Sequence, residues 1–141
     1  MSSEQKQGLM AGKRGLVMGL ANDKSIAWGI ARAVAAEGAQ LAFSYQGEAL
    51  KKRVDPLAAQ LGSSLVLPCD VSDEASIDAL FQALRQEWGS LDFVVHAIGF
   101  SDKDQLRGRY ADTTRDNFLM TMDISVYSFT AVARHASAMM P

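Results

Sequence analysis

The feature that most narrows what this chain can fold into is a repeated change of hydrophobic period. Short apolar runs of strand length alternate with longer segments whose apolar residues recur every three or four positions. Arg14 to Met18 is the first such run, closed by Gly19. "QLAFSY" (Gln40 to Tyr45), "SLVLPCD" (Ser64 to Asp70) and "LDFVVHAIGF" (Leu91 to Phe100) are the others. Strands this continuously apolar need cover on both faces, which a parallel sheet flanked by helices supplies. The alternation predicts an α/β fold, a Rossmann-type doubly wound parallel sheet, with its first four strand–helix units in residues 1–141.

The intervening segments read as helices. Ile26, Ile30, Ala33 and Val34 outline the first, which Gly38 stops. Leu50, Val54, Leu57, Ala58 and Leu61 outline a second, from Glu48, with Pro56 inside it predicting a kink or a late start. The third opens on an Asp/Ser capping pattern at Ser72–Asp73, presents Ile77, Leu80, Phe81 and Leu84 on one face, and ends at Gly89. After a polar loop from Ser101 to Asp112, Asp116 to Met140 is expected to be helical, with Phe118, Met122, Val126 and Phe129 on one side.

Composition bounds the rest. A chain of 141 residues with 48% hydrophobic and 21% charged residues suits one domain with its own core, and no linker or repeat divides it. A net charge of -2 without a basic block gives no footing for nucleic acid. The single Cys69 rules out an internal disulfide framework and fits a reducing compartment. The polar start "MSSEQKQGLMAGK" lacks the apolar core of a signal peptide, and no run reaches the ~18 apolar residues of a membrane helix. The expectation is a soluble cytoplasmic protein without membrane insertion.

Open α/β sheets bind ligands beyond the carboxyl ends of their strands, near the switch in strand order. The turn after the first strand reads "GLANDKSIAWG". Gly19 supplies the bend, and five residues later Ser25 stands where a helix begins, with its hydroxyl able to cap the helix or donate to a phosphate. Ala27 and Gly29 are small enough for close helix–strand packing. On spacing alone, Gly19 that merely turns the chain and Ser25 that merely caps a helix account for the turn equally well. The other strand ends favour a nucleotide. Asp70 can accept from an adenine amino group while Val71 packs on the ring, and the Ala97–Gly99 backbone can run beside a ribose. Gln46 holds the position where an acid usually takes ribose hydroxyls.

Taken together, "GLANDKSIAWGIA", "AFSYQ", "LPCDV", "VVHAIGF" and "DISVYSF" resemble the bacterial enoyl-[acyl-carrier-protein] reductases of type II fatty acid synthesis, a divergent branch of the short-chain dehydrogenases. The likeness runs from about Leu9 to Pro141 and corresponds to the N-terminal half of that fold. Its Gly-x5-Ser-Ile-Ala-x-Gly turn replaces the three glycines of the usual short-chain dehydrogenases. The resemblance implies that Gly19, Ser25 and Ile26 contact the pyrophosphate and adjoining ribose of NADH. It places Gln46 near the adenosine ribose, Asp70 and Val71 at the adenine, and Ile98 along the nicotinamide-side ribose. The backbone at Phe100 and Ser101 would line the acyl pocket. NADH is implied over NADPH, although Lys51, Lys52 and Arg53 follow Gln46 closely. An enoyl thioester on acyl carrier protein is the implied substrate, and a homotetramer the implied assembly.

The family's catalytic Tyr-x6-Lys pair belongs after a fifth strand, so no catalytic residue is assigned within 1–141. Tyr45 and Lys52 have that spacing, but Tyr45 closes the second strand on the adenosine side, far from the reacting carbon. Asp123 stands roughly where the usual dehydrogenases carry a water-holding asparagine, and His96 reads as an ordinary strand residue. Two other readings stay open: a dehydrogenase acting on a carbonyl or alcohol, and a non-catalytic nucleotide-binding module.

Overall fold

The computed structural model describes residues 7–141, so the first six residues of the polar N-terminal stretch lie outside the described residues. Four strands, β1 (Arg14–Met18), β2 (Gln40–Tyr45), β3 (Val66–Pro68) and β4 (Phe93–His96), form one parallel sheet in the order β3-β2-β1-β4. Helices α1 (Ile26–Ala36), α2 (Glu48–Gln60) and α3 (Glu74–Trp88) follow the first three strands. After β4 come two short 3-10 turns, then α4 (Arg115–Met122), a π turn (Asp123–Tyr127) and α5 (Ser128–Ser137) in direct succession.

Side-chain alternation along the strands builds two cores, one per face. Val17, Leu41 and Phe43 point to the face covered by α1 and α2, where they meet Ala27, Ala31, Val54 and Ala58. Leu16, Met18 and Ala42 point to the other face, against α3 and α5 through Ile77, Leu80, Leu84, Ala131 and Val132. The sheet is therefore wound on both sides, as the apolar runs require. Gly15 has its own reason: a Cβ there would land in the Phe93 ring, which lies across the β1–β4 pair.

Five sequence expectations change in detail. The buried face of α1 is Ala27, Trp28 and Ala31, whereas Ile26 is 79% and Ile30 36% exposed. Hydrophobic periodicity weighs bulk, but close approach of a helix to a sheet selects the small residues, so the two alanines win the interface. Gly29 likewise faces outward, and a Cβ added there meets nothing within 4 Å, so it is not a packing residue. α2 starts at Glu48 and runs through Pro56 with no late start; Val54 and Ala58, both fully buried on either side of the proline, hold it down. β3 and β4 are shorter than their apolar runs, because each pairs with a neighbour only over its middle. The long terminal helix is interrupted by the π turn, and its bulky face stays open: Phe118, Met122, Val126 and Phe129 are all at least 41% exposed.

Candidate functional site

The strand order reverses between β1 and β4, so the carboxyl ends of these two strands open the crevice that the fold offers a ligand. Gly19 makes the crossing possible. Its φ of +96° is a conformation that side chains disfavour, and a Cβ there would run into the Ala97 carbonyl at the end of β4. Removing that one methyl is what lets the two strand ends touch.

Beyond Gly19, Ser25 occupies the N-cap position of α1 without making a cap bond. Its Oγ accepts instead from the amides of Ala21 and Asn22, both at 3.1 Å, and so ties the excursion from Leu20 to Lys24 back toward the helix start. The hydroxyl is used as an acceptor, which leaves its proton available to a ligand. The amides of Ile26 and Ala27, first in α1, have no acceptor among the described residues. A free hydroxyl proton and unpaired amides at a helix N-terminus form an arrangement suited to a phosphate.

Along the rim, Gly19, Gln46, Val71 and Ile98 line one cleft of about 180 Å³, together with Leu20, Tyr45, Cys69 and Ala97. Side chains do not fill it. Asp70 stands beside this cleft: Oδ1 accepts from the amide and hydroxyl of Ser72 at 3.0 and 2.6 Å, and its backbone amide donates to Ser76 Oγ. Oδ2 has no partner among the described residues and is the oxygen left for a donor. Ser25 and Ile26 do not line the cleft: Ser25 adjoins it through its bond to the amide of Ala21, a lining residue, and Ile26 is exposed at the start of α1. Ser101 sits apart, its hydroxyl bonded to Asn117 and Thr121 of α4, and it lines a second cavity of about 400 Å³ with Leu106, Tyr110 and Phe118.

Cys69 and His96 are both kept neutral near neutral pH. Burial, helped by the nearby charges of Asp70 and Asp73, pushes the Cys69 thiol up to about 11 despite a bond to Ser76. The cleft wall at this point is therefore uncharged. Burial pushes the His96 imidazole below its ordinary value. Its Nε2 lies 2.8 Å from Ser128 Oγ, and Ser128 gives its only proton to the Ile124 carbonyl at 2.5 Å. Nε2 must then carry the hydrogen and donate, which fixes the tautomer. With Phe129 edge-on at 5.6 Å, His96 is a satisfied strand residue, as its sequence context suggested.

Sequence reasoning did not anticipate Leu20, Tyr45 and Cys69 as cleft residues, because they read as core. It also passed over Ser125. That hydroxyl accepts from the Phe100 amide at 3.0 Å and donates to the Phe100 carbonyl at 3.2 Å, whereas Asp123 is exposed and its carboxylate makes no bond among the described residues. Two serines three apart in "DISVYSF", inside an apolar helix, were the available signal.

The family model described as enoyl-(acyl carrier protein) reductase matches residues 19–141. The chain is 65% identical to enoyl-[acyl-carrier-protein] reductase [NADH] 2 of Rhizobium meliloti over 94% of its own length and 50% of that relative. Its fold superposes on the crystal structure of FabI from Candidatus Liberibacter asiaticus with a TM-score of 0.93 at 53% identity, covering 95% of this chain and 52% of that one. For the Anaplasma phagocytophilum enoyl-(acyl-carrier-protein) reductase, solved in complex with NAD, the TM-score is 0.92 at 58% identity, covering 97% and 52%. The chain spans about half the length of the curated relatives it matches.

Proposed function

This chain belongs to the enoyl-(acyl carrier protein) reductase family, and we propose that it supplies the NADH-binding half of an enzyme that converts trans-2-enoyl-[acyl-carrier-protein] to acyl-[acyl-carrier-protein]. The observation that carries this reading is the Gly19–Ser25 turn. It sits at the β1–β4 switch point with an unspent hydroxyl proton and two unpaired amides beside an unfilled cleft. Those groups fit a pyrophosphate in the way that bare glycine amides do elsewhere.

When bound, NADH supplies the hydride that reaches the β-carbon of the enoyl thioester. The chain's own part is to bind and orient it. Ser25 and the amides of Ile26 and Ala27 hold the pyrophosphate. Gln46 faces the adenosine ribose, Asp70 Oδ2 and Val71 the adenine, and Ile98 the nicotinamide-side ribose. The segment from Phe100 to Ser101 forms the start of the acyl pocket. Gln46 offers no negative charge against a 2′-phosphate, so the preference for NADH over NADPH rests on the names of the relatives and on the bound NAD of the Anaplasma structure. Tyr45 is buried in the core under α1 and α2 and has no part in proton donation.

For assembly, the reading is a homotetramer, supported by the open apolar side formed by Phe118, Met122, Val126 and Phe129. A cytoplasmic location goes with the free thiol of Cys69, and no helix among the described residues is long and apolar enough to cross a membrane. The test is to give the whole protein carrying these residues NADH and a crotonyl thioester. The expected result is stoichiometric NADH oxidation with formation of butyryl thioester. Turnover of a ketoacyl thioester alone would point instead to carbonyl chemistry, and NADH binding without any turnover to a non-catalytic module.

A further inference from the structure

We propose that Ser125, on the π turn, is a positioning residue that sets the nicotinamide-side wall of the cleft through the backbone of Phe100. This rests on the reading of the cleft as an NADH site.

The wall in question is the segment Ala97–Ile98–Gly99, three consecutive residues that line the cleft as the chain leaves β4. The Ala97 amide makes the last backbone bond to β1, donating to the Met18 carbonyl at 3.1 Å, and past it Ile98 and Gly99 make no backbone bond among the described residues. Here it is held at both ends by the same helical turn. At its start, Ser128 Oγ accepts from His96 Nε2 at 2.8 Å. At its end, Ser125 takes the Phe100 amide at 3.0 Å and gives its proton to the Phe100 carbonyl at 3.2 Å. One hydroxyl thus occupies both polar groups of a single peptide residue, which fixes position and orientation together. The wall cannot drift without consequence, because the Ala97 carbonyl already lies against Gly19, where not even a methyl group fits. Any shift at Phe100 therefore changes the distance between the phosphate turn and the nicotinamide-side wall.

The π turn places this hydroxyl. Widened turns are costly in a helix and concentrate where a side chain must be aimed at a functional segment. Here the widened turn, Asp123–Tyr127, contains Ser125 and directly precedes Ser128. Asp123 points to solvent, so the turn is not built around its carboxylate. Phe100 is itself 54% exposed, so its side chain does not anchor the segment and the two backbone bonds must.

The experiment uses the whole protein carrying these residues, with Ser125→Ala and Ser125→Thr. Ser125→Ala is expected to speed amide hydrogen exchange at Phe100 by about tenfold or more. Its kcat with NADH and a crotonyl thioester should fall by about tenfold, while the Kd for NADH stays within about twofold, because hydride transfer is far more sensitive to a small displacement than binding is. Ser125→Thr keeps the hydroxyl and should restore both readouts. Unchanged exchange at Phe100, a kcat within about twofold of the parent, or an equal loss in the threonine variant would overturn the proposal. So would a parallel collapse of NADH affinity and melting temperature, which assigns Ser125 to general stability. Should the parent protein fail to reduce the enoyl thioester, the proposed function falls, and Ser125 is then decided by the exchange rates at Phe100 alone.

Discussion

At Gly19 two independent restraints fall on one position. The backbone needs φ of +96°, and the Ala97 carbonyl fills the volume of a Cβ. Gly29, ten residues on in the same turn-and-helix unit, has neither restraint. The two glycines should therefore respond in opposite ways to the same change. Gly19→Ala is expected to weaken NADH binding by about tenfold or more, through backbone strain of about 1–3 kcal/mol and separation of β1 from β4. Gly29→Ala is expected to leave binding alone and to stabilise α1 by about 0.5–1 kcal/mol, since it removes chain entropy from the unfolded state. Fluorescence titration with NADH and urea denaturation of both variants check this pair. Loss of affinity in Gly29→Ala would mean that its Cβ does meet the ligand. In the sequence these glycines look alike, as two ends of one motif. Only the distance from each to its neighbours separates them.

Among the elements, α1 shows how a face is chosen. Two branched apolar residues, Ile26 and Ile30, face out, while Ala27, Trp28 and Ala31 form the buried face. Each alanine is fully buried in one cluster with Val17, Leu41 and Phe43. Ala31→Leu should consequently cost about 1–3 kcal/mol by overpacking. Ile30→Gln should stay within about 0.5 kcal/mol of the parent, as surface changes do. Chemical denaturation of the two variants measures the difference, and equal costs would contradict the observed rotation of the helix. α3 is the contrasting case. There Ile77, Leu80, Phe81 and Leu84 are both the bulky residues and the buried ones, and Asp73 caps the first turn by accepting from Ala75. Its period and its cap were readable from sequence because size and burial coincide. The terminal helix is intermediate: its existence is evident from spacing, whereas the π turn that aims Ser125 leaves no mark in the apolar pattern.

For the whole molecule, the described residues bring the carboxyl ends of parallel strands around one unfilled cleft. By itself this chain is expected to bind NADH weakly and to leave crotonyl thioester unreduced, as a stopped assay with product analysis would register. Turnover by these residues alone would place the proton donor within this chain and overturn that expectation. Legible in the residues alone were the order of strands and helices, the winding of a parallel sheet and the bend at Gly19, because periodicity, glycine and a helix start are local properties of the chain. The sequence also located Gln46, Asp70, Val71 and Ile98 at strand ends, since position along a strand is a matter of counting. Tertiary structure decided which residues share one cleft, which face of α1 is buried, and that Ser25 braces the loop instead of capping its helix. Those outcomes depend on contacts between segments far apart in sequence, such as Gly19 with Ala97 and Ser125 with Phe100, and no local pattern encodes such a distance.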